Sequence, residues 1–105
     1  MKRVFIAGPY SKGDVAQNVK RAMDVANDLI EAGFAPFCPH LTHFLHMNHH
    51  QPYDKWLDID RMYLEVCDAV LRIPGESNGA DLEVKKAKEL GIPVFYSLND
   101  LKANC

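Results

Sequence analysis

Four short apolar runs punctuate the chain: Val4-Phe5-Ile6-Ala7, Phe34-Ala35-Pro36-Phe37, Ala69-Val70-Leu71-Arg72-Ile73 and Pro93-Val94-Phe95-Tyr96. The first, third and fourth are continuous enough for strands covered on both faces, as in a parallel sheet. The second contains Pro36, which lacks an N–H and suits an edge strand. Between the runs the period lengthens. Val15, Val19, Ala22, Ala26 and Leu29 form one stripe at helical spacing that stops at Gly33, a residue favoured just past a helix end. A second helix is expected from Asp54, as N-cap, to about Cys67. A third opens at Ser77 or Asn78 and stops at Gly91, ahead of Pro93. Strands alternating with helices predict a Rossmann-like α/β sandwich of three layers, with a parallel sheet of four or five strands between two helical layers. Ligands of such sheets bind at the carboxyl ends of the strands. Two loops rich in turn residues leave strand ends there, Gly8 to Asp14 and Pro74 to Gly79.

Two acids fall on the wrong side of their helices. At about 100° per residue, with Ala80 at zero, Ala87, Val84 and Leu90 define an apolar stripe, and Glu83 lies inside it at about 300°. With Trp56 at zero, Tyr63, Cys67, Val66, Ile59, Leu64 and Leu57 form a broad apolar face, and Asp60 lies within it at about 40°. A carboxylate turned toward a core is costly unless it is paired or lines a cavity. The bland alternative is that each acid sits at the end of its stripe and reaches solvent or an N-terminal amide. Glu83, one turn into its helix, is expected to stay ionised beside the helix's positive end; Asp60, mid-helix, lacks that help. Paired carboxylates in unlike environments are the equipment of glycosidic bond cleavage. The segment Ser77-Asn78-Gly79 leads into the helix of Glu83, and its amides and close-approach glycine suit an anion such as a 5′-phosphate.

Composition narrows the classes without choosing among them. The chain has 105 residues, 48% hydrophobic and 25% charged, with a formal charge of -2. That fits one globular domain over residues 1–105, and offers no basic footprint for a polynucleotide. No apolar run is long enough for a membrane span or a signal peptide. Cys38, Cys67 and Cys105 form no CxxC pair and read as reduced apolar fillers, hence a cytoplasmic protein. Gly8-Pro9-Tyr10-Ser11 has neither the ending of a P-loop nor a dinucleotide fingerprint, which disfavours a kinase or NAD enzyme. No cofactor is expected.

Five histidines, His40, His43, His46, His49 and His50, crowd one short segment. They allow a metal site, an exposed insertion with Phe44, Leu45 and Met47 tucked beneath, or a lid that brings His43 or Phe44 to a nucleobase. Tyr10, Tyr53 and Trp56 are either packing residues or stacking surfaces. A metal-dependent hydrolase and a nucleotide-binding sensor without turnover therefore stand beside the glycosidase reading.

Taken together, these residues resemble the nucleoside 2-deoxyribosyltransferases and the related 2′-deoxynucleoside 5′-monophosphate N-glycosidases. The resemblance spans most of the chain. It rests on Val4-Phe5-Ile6-Ala7-Gly8-Pro9-Tyr10-Ser11, on Asp60 upstream of Cys67-Asp68-Ala69-Val70, and on Ser77-x-Gly79-x-x-x-Glu83 before Gly91-Ile92-Pro93-Val94. It implies a flavodoxin-like fold, Glu83 as nucleophile, and Asp60 as positioning group or acid. Gly8, Tyr10, Ser11, Ser77 and Gly79 would hold the substrate, in a homodimer or larger assembly whose sites borrow a neighbour's residue. Two features depart from the family. The monophosphate enzymes carry an arginine in the first loop, where Lys12 stands here. The transferases have a longer tail that donates an amide, so Asn99 or Asn104 would have to serve. Nucleoside and 5′-monophosphate both remain open, as do hydrolysis and transfer.

Overall fold

The computed structural model describes residues 1–105. Its elements run β1 (Arg3–Ala7), α1 (Val15–Glu31), β2 (Ala35–Phe37), a 3-10 turn (Pro39–Leu41), α2 (Thr42–Asn48), α3 (Tyr53–Leu64), β3 (Ala69–Arg72), α4 (Asn78–Glu89), β4 (Val94–Phe95) and α5 (Leu98–Asn104). All strand pairs are parallel and the order is β2-β1-β3-β4. Pro36 lies on the edge strand, where a missing N–H costs least.

The continuous apolar runs bury both faces of the sheet. Val4, Ile6, Ala69 and Leu71 pack with Ala22 and Leu29 of α1 and Leu101 of α5. Phe5, Ala7 and Val70 pack on the other side with Leu64 at the end of α3 and with Ala80 and Ala87 of α4. The helices that carry Asp60 and Glu83 therefore share one face. Chain order reverses between β1 and β3, so the loops leaving these two strands open a crevice at their carboxyl ends.

Local signals set most helix ends. Asp14 accepts from the Gln17 amide at 3.2 Å and caps α1, and Gly33 beyond its end takes φ +90°. Ser77 caps α4 through the Ala80 amide at 3.1 Å.

Other expectations need correction. Pro52, not Asp54, occupies the capping position of α3, with Asp54 in the first turn, and the helix ends at Leu64 rather than near Cys67. Pro52 has φ −61° and ψ 149°, so proline geometry launches this helix without a side-chain cap. The histidine segment folds into the 3-10 turn and α2, but Phe44, Leu45 and Met47 are exposed rather than tucked under. The tail forms α5 and buries Leu101 completely. Cys38 and Cys67 are buried as fillers, and burial pushes both thiols up, whereas Cys105 is exposed. Ile59 and Met62 on α3, and Val66 just beyond its end, are 38, 71 and 58% exposed, while Tyr63 stacks on Phe37 with ring centroids 4.5 Å apart and stays half-exposed, so part of this apolar face is left open. No helix is long and apolar enough to cross a membrane.

Candidate active site

The first loop is shaped from beneath by buried polar side chains. Asn18 of α1 donates through Nδ2 to the carbonyls of Tyr10 at 2.9 Å and Lys12 at 2.8 Å. Buried His40 lies with Nε2 2.9 Å from the Pro9 carbonyl, and desolvation lowers its pKa, so the neutral ring donates that proton. Its Nδ1 is buried without a partner. Both residues give hydrogen-bond partners to carbonyls of the first loop. Neither role was read from the sequence. Asn18 nevertheless carried the same signal as Glu83, because it falls inside the α1 stripe at about 300° from Val15.

Arg72 shapes the second loop. It ends β3 with its guanidinium buried, donating to the Ile73 carbonyl, the Gly75 carbonyl at 2.9 Å and Asp81 Oδ1 at 3.0 Å. Three bonds from one rigid fork tie the loop to the first turns of α4. A charge inside an apolar strand run was the sequence signal, and it went unread.

Between these loops lies a cleft of about 600 Å³. Gly8, Tyr10, Ser11, Asp60, Ser77, Gly79 and Glu83 all border it. His43 does not: its Nδ1 sits 2.6 Å from the Tyr10 hydroxyl, behind the wall. The ring that reaches the cleft from α2 is His46. Trp56 Nε1 donates to His46 Nδ1 at 2.8 Å, and the Gln51 amide approaches the same atom at 3.3 Å. An indole only donates, so His46 Nδ1 is the acceptor of this bond. The histidines thus disperse to Pro9, Tyr10 and Trp56, and no three His, Cys, Asp or Glu side chains are grouped to hold a metal ion.

Asp60 and Glu83 meet at the floor. Asp60 is 9% exposed, and its Oδ1 is buried without a hydrogen-bond partner. Burial raises its pKa to about 7. Glu83 is raised to about 8, first by burial and then by the charge of Asp60, against a smaller opposing pull from Arg72. This corrects the expectation that Glu83 stays ionised in the empty protein. Asn78 is the first residue of α4, so Glu83 stands in its second turn, where the helix's positive end has faded. The two groups titrate as a pair that keeps roughly one proton near neutrality.

The parallel order β2-β1-β3-β4 with helices on both faces defines a Rossmann-like α/β protein whose cleft lies at the switch point. The chain belongs to the family described as domain of unknown function DUF7768, which matches residues 2–97. Among solved structures it is similar to a 2-deoxyribosyltransferase from the psychrotolerant bacterium Bacillus psychrosaccharolyticus. That likeness has a TM-score of 0.68 at 16% identity, covering 95% of this chain and 90% of that one. Identity this low shows a shared fold. No curated protein matches the sequence.

Proposed function

We propose that this protein cleaves or transfers the N-glycosidic bond of a nucleoside or nucleotide, with Glu83 as nucleophile. The observation that carries the reading is the pair of raised carboxyls in one cleft, one with an oxygen that has no partner in the protein. A buried acceptor left unsatisfied is expensive, and a sugar hydroxyl or a nucleobase N–H would relieve it. The fold shared with a deoxyribosyltransferase supports the same reading.

In the singly protonated pair the proton rests mainly on Glu83, the weaker acid, and the reactive form is the minor one in which it has moved to Asp60 and left Glu83 ionised. A Glu83 oxygen bonds to the anomeric carbon as the bond to the base nitrogen breaks. The bonding electrons leave with the base, which takes its proton from Asp60. Asp60, now a carboxylate, draws a proton from water as the water oxygen attacks the anomeric carbon. The glycosyl ester opens, Glu83 is released as carboxylate and Asp60 is reprotonated. A second nucleobase in place of water completes a transfer. Trp56 offers an aromatic face to the base; Gly8, Tyr10, Ser11, Ser77 and Gly79 border the cleft and are the candidates to hold the sugar.

The test is incubation with deoxynucleosides and their monophosphates, followed by chromatography of free base. Release that is lost in Glu83→Gln is the expected result. Tight binding with no release would make the protein a nucleotide-binding module instead.

A further inference from the structure

The cleft's charges are few and already committed. Its only lysine or arginine is Lys12, whose Nζ lies 3.2 Å from Glu76 Oε1 at the cleft's edge. Such an exposed pair adds little stability, yet it cancels the charge that an incoming anion would seek. The guanidinium nearest the floor, Arg72, is bonded to Ile73, Gly75 and Asp81 and does not border the cleft. His40 lines it as a ring held neutral by burial, and His46 lines it with Nδ1 committed to the Trp56 indole. His50 stands at the rim against His46, with ring centroids 4.5 Å apart. Set against one paired lysine are three carboxyls: Glu76, Asp60 and Glu83.

Tyr53 closes the remaining place for an anion. The free amides at the start of α4 are where a phosphate would dock. A Cβ on Gly79 would lie only 3.0 Å from the Tyr53 hydroxyl, so that phenol stands directly over this turn. Tyr53 is two turns before Asp60 on the same side of α3, and Gly79 is one turn before Glu83 on α4. The hydroxyl is thus set at the same junction as the two acids. Burial, followed by the charges of Glu83, Asp54 and Asp60, raises its pKa, so it remains a neutral donor and acceptor. The glycine opposite lets the phenol approach this closely; a Cβ there would push its hydroxyl back by a few tenths of an ångström.

We infer that the cleft takes the uncharged nucleoside and discriminates against its 5′-monophosphate, with Glu76 and Tyr53 as the residues that set the preference. A phosphate brings about 1.5 to 2 negative charges into a cleft with no free cation at its floor. The Tyr53 hydroxyl exchanges hydrogen bonds with a 5′-hydroxyl at the turn of α4 instead. This rests on the reading under Proposed function, and its test separates the two.

The experiment measures kcat/KM on a deoxynucleoside and on the 5′-monophosphate of the same base, for wild type, Glu76→Gln and Tyr53→Phe. Wild type should favour the nucleoside on the order of 100-fold, the scale of an uncompensated charge in a partly screened cleft. Glu76→Gln frees Lys12 and should narrow that ratio about tenfold at low ionic strength, with less effect as salt rises. Tyr53→Phe should lower nucleoside turnover more than monophosphate turnover. Equal or better use of the monophosphate by wild type overturns the inference while leaving the glycosidase reading intact. If neither ligand releases base, the glycosidase reading fails. Calorimetric titration of the same two ligands into wild type then decides the preference. Tighter nucleoside binding sustains it; tighter monophosphate binding, or no binding of either, overturns it.

Discussion

Helices α3 and α4 each bring one carboxylate to the same cleft, yet they are built differently. Helix α4 is anchored: Ser77 caps it, Ala80 and Ala87 are buried on β1 and β3, and Arg72 grips its first turns through Asp81. Helix α3 buries only Asp60 and Leu64 and leaves Ile59 and Met62, with Val66 just past its end, exposed. The anchored helix holds the proposed nucleophile, whose position tolerates little error. The open helix combines a poorly paired acid with an apolar surface that calls for a cover. The site is thus half rigid scaffold and half potential interface.

The largest effect tests the anchored side. Glu83→Gln keeps shape and removes charge, so base release should fall by about 10³-fold or more while ligand binding persists. Rapid-quench assays and calorimetry on one preparation check both halves. Asp60→Asn tests the other helix, and should cost about 10²-fold, the range of a general acid. The pH profile distinguishes the two helices further. Wild-type activity should be bell-shaped, because it requires one proton on the pair. It falls as pH drops below about 7 and both acids protonate, and as it rises above about 8 and both ionise. Asp60→Asn removes a proton source and a repelling charge, so the surviving activity should rise with pH to a plateau that starts lower.

A smaller effect is expected at the apolar surface of α3 and the turn that follows it. We propose that a second copy of the chain covers it, making a homodimer or larger assembly. Met62→Glu with Val66→Glu should then weaken association by about tenfold or more, an increment of only about 1.4 kcal/mol. Light scattering that finds wild type monomeric at working concentration contradicts this.

The smallest effect concerns stability. The folded pKa of Glu83 is about 8, against an ordinary value of 4.5. The folded state therefore binds more protons than the unfolded state between those values. The stability from these protons is complete below the unfolded pKa and is lost as pH rises through the folded one. Glu83→Gln should consequently melt higher than wild type at pH 9, with the difference disappearing near pH 4. Equal melting temperatures at both pH values would show that Glu83 carries no desolvation cost. A stability gain that accompanies lost turnover is the sign of a strained functional group.

Much of the fold was legible because the decisive signals were local. The first and third apolar runs marked strands buried on both faces, whereas the fourth is a two-residue, half-buried edge strand; Pro36 marked the other edge, and Ser77 and Gly33 marked helix ends. The inward positions of Asp60 and Glu83 followed from residue spacing alone. Their protonation did not, because the desolvation of Glu83 depends on α3 lying across it, a contact between distant parts of the chain. The same limit explains the histidines. The lid reading brought His43 or Phe44 to the base, but which ring reaches the cleft depends on Trp56 and Tyr10 in three dimensions. Arg72 and Asn18 are a different case. Both stood out as polar residues in apolar patterns, and the arithmetic applied to the acids would have found Asn18.

The central claim is that Glu83 bonds to the anomeric carbon. A 2-fluoro-2-deoxy nucleoside analogue destabilises the oxocarbenium-like state and slows the loss of any glycosyl-enzyme ester. Incubation with wild type should give an adduct heavier by one fluorosugar, and peptide mass spectrometry should place it on Glu83, with none formed by Glu83→Gln. Release of base from this analogue with no adduct on Glu83, or an adduct on another residue, would contradict the account.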